Sequence, residues 1–295
     1  MRQSVKQLKM LNVKQTAFTL VELLVVISII AVLMGILMPA LQAVKKQASA
    51  SVCMSNTKNM GMGWYMYMGD NDGNIMSATD NNTYSWIRVP ENEQGQAQNI
   101  TQRNPEVTDE DEIRGIKKGR LFPYITNPQV YRCPANTFKS LYDSSRVYVS
   151  YSIPMCLNGY PGANSSKQIK KYSQIKNPSL RYNFVEAFES RNWNSGHHFW
   201  LSSPEAPGYS GSPSNGYRGY GWWGPISINH GDSSVLAYCD GHSEKRKWRD
   251  EYTIERVDRL LKGGGDTYGQ DFPPPDQLDD IKFMSEGWAF RYRGK

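Results

Sequence analysis

The chain is poor in the residues from which most active sites are built. It has four histidines and four cysteines in 295 residues. It contains no His-Glu-x-x-His helix, no Gly-x-Ser-x-Gly elbow and no phosphate-binding glycine loop. Nothing repeats internally. The first 17 residues hold no acid, against Arg2, Lys6, Lys9 and Lys14. Those four cations dominate the formal net charge of +6, and without them the remainder carries +2. That is too little for the concentrated basic face that nucleic-acid binding needs. An enzyme reading therefore has no motif behind it, no cofactor is expected, and nucleic acid is not an expected partner.

What is present begins with one long apolar run. Phe18 to Leu41 reads FTLVELLVVISIIAVLMGILMPAL, with Glu22 as its single charge. As a helix it reaches about 36 Å, enough to cross a hydrocarbon core of ~30 Å. The basic residues all precede it, so the positive-inside rule keeps the N-terminus in the cytoplasm and sends residues 42–295 across the membrane. A secretory signal peptide cleaved after Ala48-Ser49-Ala50 is the plain competitor. The run exceeds the usual h-region of ~7–15 residues, and a carboxylate within it costs roughly 2.5–3.5 kcal/mol at mid-membrane. Such a residue is kept for a reason.

The segment Gln15-Thr16-Ala17-Phe18-Thr19-Leu20-Val21-Glu22 resembles the processing site of type IV prepilins and type II secretion pseudopilins. The resemblance implies a basic leader over 1–17, cut between Ala17 and Phe18 by a prepilin peptidase that methylates the new amine. The family has Gly before the cut. Ala17 is the next smallest residue, and cleavage is expected to survive. The resemblance further implies that Glu22 pairs with the Phe18 amine of a neighbouring subunit during assembly. Pro39, with Gly35 one turn earlier, would form a flexible joint. Residues 18–41 are then the transmembrane helix and 42–69 its exported continuation. Leu41, Val44, Ala48 and Val52, then Met60, Trp64, Tyr67 and Met68, recur at helical spacing. The run Gly69 to Gly73 stops the helix.

A narrower likeness is to the large pilin-like proteins of planctomycete-type and related bacteria. It rests on Leu37 to Leu41, Cys53 to Asn56, Arg132-Cys133-Pro134, Ser150-Tyr151-Ser152 and Val185-Glu186-Ala187. A late His–nine residues–Asp-Gly spacing, here His230, Asp240 and Gly241, completes it. Because Cys53 and Cys133 fall in matching segments, this likeness favours a disulfide between them, with Cys156 and Cys239 as core thiols.

Residues 70–295 read as an α+β domain, an antiparallel sheet with long loops packed on the helix. Val235 to Cys239 and His242 to Trp248 read as a hairpin about a two-residue Asp240-Gly241 turn. Ile254, Val257, Leu260 and Leu261 mark a short helix ended by Gly263. Residues 91–112 read as an exposed acidic loop. His230, Asp232, Asp240 and His242 could converge on a metal, although turn and strand surface explain them as well, and His197-His198 lies in a Trp-rich loop. Asp70 to Asn74 resembles the start of a calcium loop. It has Ile75 where Gly is needed and Asn81 where the bidentate Glu is needed, so a solvated turn is the better reading and calcium the minority one.

Two function classes result. The first is a pilin-like structural subunit of a type IV pilus-like or type II secretion filament, assembling with itself and with other pilin-like subunits in the bilayer. The second is a membrane-tethered module binding polysaccharide through Trp193, Trp200, Tyr217, Tyr220, Trp222 and Trp223.

Overall fold

The computed structural model describes residues 19–79, 83–98, 107–136, 148–159, 168–187, 198–199, 201–202, 220–222, 224, 226–262 and 272–289. The chain divides into two compact units, Met1–Lys45 and Lys46–Lys295. The described part of the first is the opening half of helix α1, Leu20–Asp70. This stretch is long and apolar enough to cross a membrane, and none of its apolar window is buried within the protein. Helical structure continues through Pro39, which supplies no N–H to the ladder.

In the second unit the rest of α1 buries one face. That face is not the Leu41, Val44, Ala48 and Val52 stripe expected from the spacing, all of which are exposed. It consists of Ser49, Ala50, Cys53, Asn56, Thr57 and Met60, continuing to Trp64, Tyr67 and Met68. Its first two turns are small and polar because the sheet approaches closely there. Bulk returns at Trp64, whose ring meets Tyr65 and Tyr172 edge-on at 5.8 and 5.9 Å. Gly63 answers a similar need, since a Cβ there would stand 2.7 Å from Ile125 Cγ1.

The sheet has the order β3-β1-β2-β6-β7. Its strands are β1 (Tyr151–Pro154), β2 (Tyr182–Glu186), β3 (His198–Phe199), β6 (Ser233–Tyr238) and β7 (Ser243–Lys247). The β1, β2, β6 and β7 pairings are antiparallel, while the two-residue β3 joins β1 in parallel. This is the expected α+β arrangement of a long N-terminal helix and an antiparallel sheet. A separate pair, β4 (Leu201–Ser202) and β5 (Gly221–Trp222), is also antiparallel. Strands β1, β2 and β6 are buried at every residue. β7, sequence SEKRK, is the exposed edge, and its charges discourage pairing with another chain.

The hairpin lies where the sequence places it, around Asp240-Gly241, but its turn is longer than two residues. Tyr238 N–H bonds the His242 carbonyl, and Gly241 N–H bonds the Tyr238 carbonyl. Cys239-Asp240-Gly241 is therefore a three-residue loop with only Gly241 left-handed, at φ +94°. A two-residue type I′ turn would require positive φ at Asp240 too.

Helix α2 (Asp109–Lys117) occupies the end of the expected acidic loop. Thr108 and Asp111 close a capping box at its start, and four acids in the first turn complement the helix dipole. Helices α3 (Glu251–Leu261) and α4 (Asp279–Glu286) cap each other. Asp280 accepts the N–H groups of Arg249 and Asp250, and Asp250 accepts that of Asp280.

Glu112 of α2 turns inward and accepts the Tyr148 N–H at 2.9 Å. Burial pushes its carboxyl up to about 7, with Asp109 adding and Arg132 opposing. A folded-state value above the unfolded one means that the native state binds the extra proton, so stability falls as pH rises from about 4.5 to about 7. Glu112→Gln should flatten that fall, by on the order of 2 kcal/mol at pH 7 relative to pH 5. Urea midpoints at the two pH values measure it; an unchanged difference between them would show that Glu112 ionises normally.

Candidate functional site

Two places in the molecule concentrate chemistry. The first is the start of α1. Thr19 N–H and Oγ each donate to Glu22 Oε2 at 2.8 Å, and Glu22 N–H donates to Thr19 Oγ at 3.2 Å. This is a reciprocal capping box. Glu22 Oε1 has no partner among the described residues. Ala17 and Phe18, the expected cleavage pair, lie outside the described residues.

The second is a buried group beneath α1, drawn from four distant segments. Cys53 comes from α1. Cys133 follows a 3-10 turn at Pro128–Tyr131, Glu186 ends β2, and His230 precedes β6. All four are at most 1% exposed, and one donor atom from each lies within 4.8 Å of every other. His230 Nε2 is 3.1 Å from Glu186 Oε1 and 3.5 Å from Cys133 Sγ. On the far side of the ring, His230 Nδ1 is 3.1 Å from Ser49 Oγ. Ser49 commits its own proton to the Lys46 carbonyl at 2.8 Å, so it can only accept from His230, and Nδ1 carries the proton. Glu186 Oε2 accepts the Val235 N–H at 2.9 Å, and Oε1 lies 3.5 Å from Asn229 Nδ2.

That arrangement leaves Nε2 facing a carboxylate, where a bare lone pair would be repelled. Burial disfavours a charged imidazole, but hydrogen bonds to Cys133 and Glu186 outweigh it and push His230 up to about 10. The pocket thus selects for positive charge at one point. It is not a nucleophile triad. In a triad the carboxylate holds the ring nitrogen remote from the nucleophile, whereas here Glu186 and Cys133 share Nε2. The Cys133 thiol is pushed up by its contact with Cys53 and by burial, the opposite of an activated thiolate.

Residues 12–38 match the family model of the prokaryotic N-terminal methylation motif. The match supports a type IV pilin-like protein. Comparison with curated proteins and with solved structures found no match. Together with the apolar N-terminal helix, the one such helix among the described residues, the motif supports a single-pass membrane anchor. It supports a structural role rather than catalysis, and association with other pilin subunits.

His230, Asp232, Asp240 and His242 do not converge. His230 is buried against α1, while His242 sits at the far end of the hairpin, bonding Asp240 at 2.6 Å and stacked on Tyr238 at 4.2 Å. Cys53 and Cys133 do come together, but no disulfide joins them, and all four cysteines are buried. Asp70 to Asn74 closes α1: the Asn71 and Asn74 amides bond backbone carbonyls, and Asp70 accepts Tyr124. Of the aromatic set, Trp222 is buried and meets Trp248 edge-on, so it is core and not a sugar platform. Tyr220 is partly buried against the core. Trp193, Trp200, Tyr217 and Trp223 lie outside the described residues, as do His197 and the side chain of His198. Glu186 was not singled out by sequence reasoning. Its signal was one acid inside the otherwise apolar run Phe184-Val185-Glu186-Ala187.

Proposed function

We propose that this chain is a pilin-like structural subunit, cleaved between Ala17 and Phe18, N-methylated on Phe18, and assembled into a type IV pilus-like or type II secretion filament. The leader stays in the cytoplasm and residues 42–295 lie outside it. The observation that carries the reading is the methylation motif over 12–38, set on a helix with one carboxylate in its apolar half. The Thr19–Glu22 box bears on how that carboxylate works. It holds Oε2 along the helix and leaves Oε1 open toward a neighbour. A carboxylate in lipid requires a cation, and the new Phe18 amine of an adjacent subunit supplies one.

The mature N-terminus is the test. Intact mass and N-terminal sequencing of the protein from its own membranes should give N-methyl-Phe18. Ala17→Gly should keep or speed cleavage, and Ala17→Leu should block it. A mature chain starting at Ser51 would overturn the membrane-anchored reading, and one retaining Met1 would overturn the processing.

A further inference from the structure

We infer that Cys53, Cys133, Glu186 and His230 form a closed, tetrahedral zinc site that fastens the helix to the sheet domain. A His–Glu ion pair accounts for two of the four side chains. It does not account for two thiols, both fully buried, converging on the same point from a helix and a loop. A disulfide would account for the thiols but give the buried carboxylate and imidazole nothing to do with them. One metal ion accounts for all four.

The spacing fits. With metal bonds of ~2.3 Å to sulfur and ~2.0–2.2 Å to nitrogen and oxygen, a tetrahedron has edges of about 3.6 Å for S···N and about 3.4 Å for N···O. The observed separations are 3.5 Å for Cys133 Sγ to His230 Nε2 and 3.1 Å for His230 Nε2 to Glu186 Oε1. The donor chemistry narrows the ion. Two sulfurs and an imidazole discriminate against calcium and magnesium, and four protein donors without an open position are the pattern of structural zinc rather than of a catalytic centre. The surroundings are those of a supported ligand set. Ser49 orients the His230 ring through Nδ1 and leaves Nε2 for the ion, and the Val235 N–H fixes the Glu186 carboxylate. The expected gain is mechanical. The four ligands sit in four segments that are up to 177 residues apart, from Cys53 to His230, in a domain rich in loops.

The full chain, purified in detergent without chelators, should contain about one zinc per molecule by elemental mass spectrometry. Cobalt exchanged into the site should give thiolate charge-transfer bands and the visible spectrum of a tetrahedral centre. Cys133→Ser should weaken the charge-transfer bands, while Cys156→Ser, a buried thiol outside the group, should leave metal content unchanged. Chelation should lower the thermal midpoint of the wild type by on the order of 10 °C, and zinc but not magnesium should restore it. Should the cysteine variants fail to fold, the wild-type cobalt spectrum and zinc rescue still decide. The inference is overturned by a Cys53–Cys133 disulfide in the exported protein, by metal retained in the Cys53→Ser/Cys133→Ser double variant, or by a metal-free chain with free thiols that takes up no added zinc.

Discussion

Glu22→Gln should insert into the membrane, keep α1 capped, and still fail to assemble. The amide retains the acceptor that Thr19 uses, since Gln serves in a capping box as Glu does. What it loses is the charge. A Phe18 amine of the next subunit would then be left in lipid without its anion, and a stranded charge of this kind costs about 3–5 kcal/mol. Cross-linked multimers should fall by roughly a hundredfold or more at limiting subunit concentration while monomer accumulates. Glu22→Ala should fall as far, having lost cap and charge together. If Glu22→Gln assembles as the wild type does and only Glu22→Ala fails, then Glu22 is a helix cap and the pairing with Phe18 is wrong.

Trp64→Ala should instead destabilise the body. The indole is fully buried at the centre of an aromatic trio with Tyr65 and Tyr172. Truncation removes its transfer free energy and leaves a cavity, for about 3–5 kcal/mol. In a domain of this size that lowers the thermal midpoint by roughly 10 °C. Trp64→Phe should cost about 1–2 kcal/mol, because the buried indole N–H has no hydrogen-bond partner among the described residues and its loss forfeits none. Equal midpoints for the Ala and Phe variants would show that the N–H, not the ring, is what matters. The two positions should also dissociate: Glu22→Gln leaves the midpoint of the body where it was, and Trp64→Ala leaves the membrane segment apolar and inserted.

Much of the first site was legible because membrane physics writes in long runs. Twenty-four residues with one acid admit few readings. The hairpin was legible for a similar reason, since Asp-Gly punctuates it and β7 shows its exposed edge. Strands β1 and β2 were not. Like β6 they are buried at every residue, so no polar alternation marks them, but they lack the Asp-Gly turn that punctuates β6, and at four and five residues their length does not separate them from other apolar runs. The buried face of α1 misled for the opposite reason. Where sheet and helix approach closely, Ser49, Ala50, Cys53 and Thr57 go inside and Val52 stays out, so hydrophobicity points to the wrong side. The four-residue group under it is assembled from segments that only tertiary structure brings together. The likeness paired Cys53 with Cys133 as a disulfide, and nothing in the sequence spacing joins that pair to His230 and to a strand acid.

The separation of His230 from Asp240-Gly241 acts as a ruler laid along α1. The hairpin touches the helix at Ser49 through His230, at Thr57 through Ser243, and at Tyr65 through the Cys239 carbonyl. Sixteen helical residues from Ser49 to Tyr65 rise about 24 Å. Nine residues from His230 to Cys239 span at most about 30 Å extended, and the left-handed Gly231 and Asp232 take up the slack. A strand, unlike a helix, has parity: each added residue exchanges inside for outside. One residue more or fewer in β6, with the turn held against Tyr65, would carry the strand's upstream side chains to the opposite face. A step of two in the strand keeps its faces but adds about 6.6 Å, more than one turn of the helix it lies against.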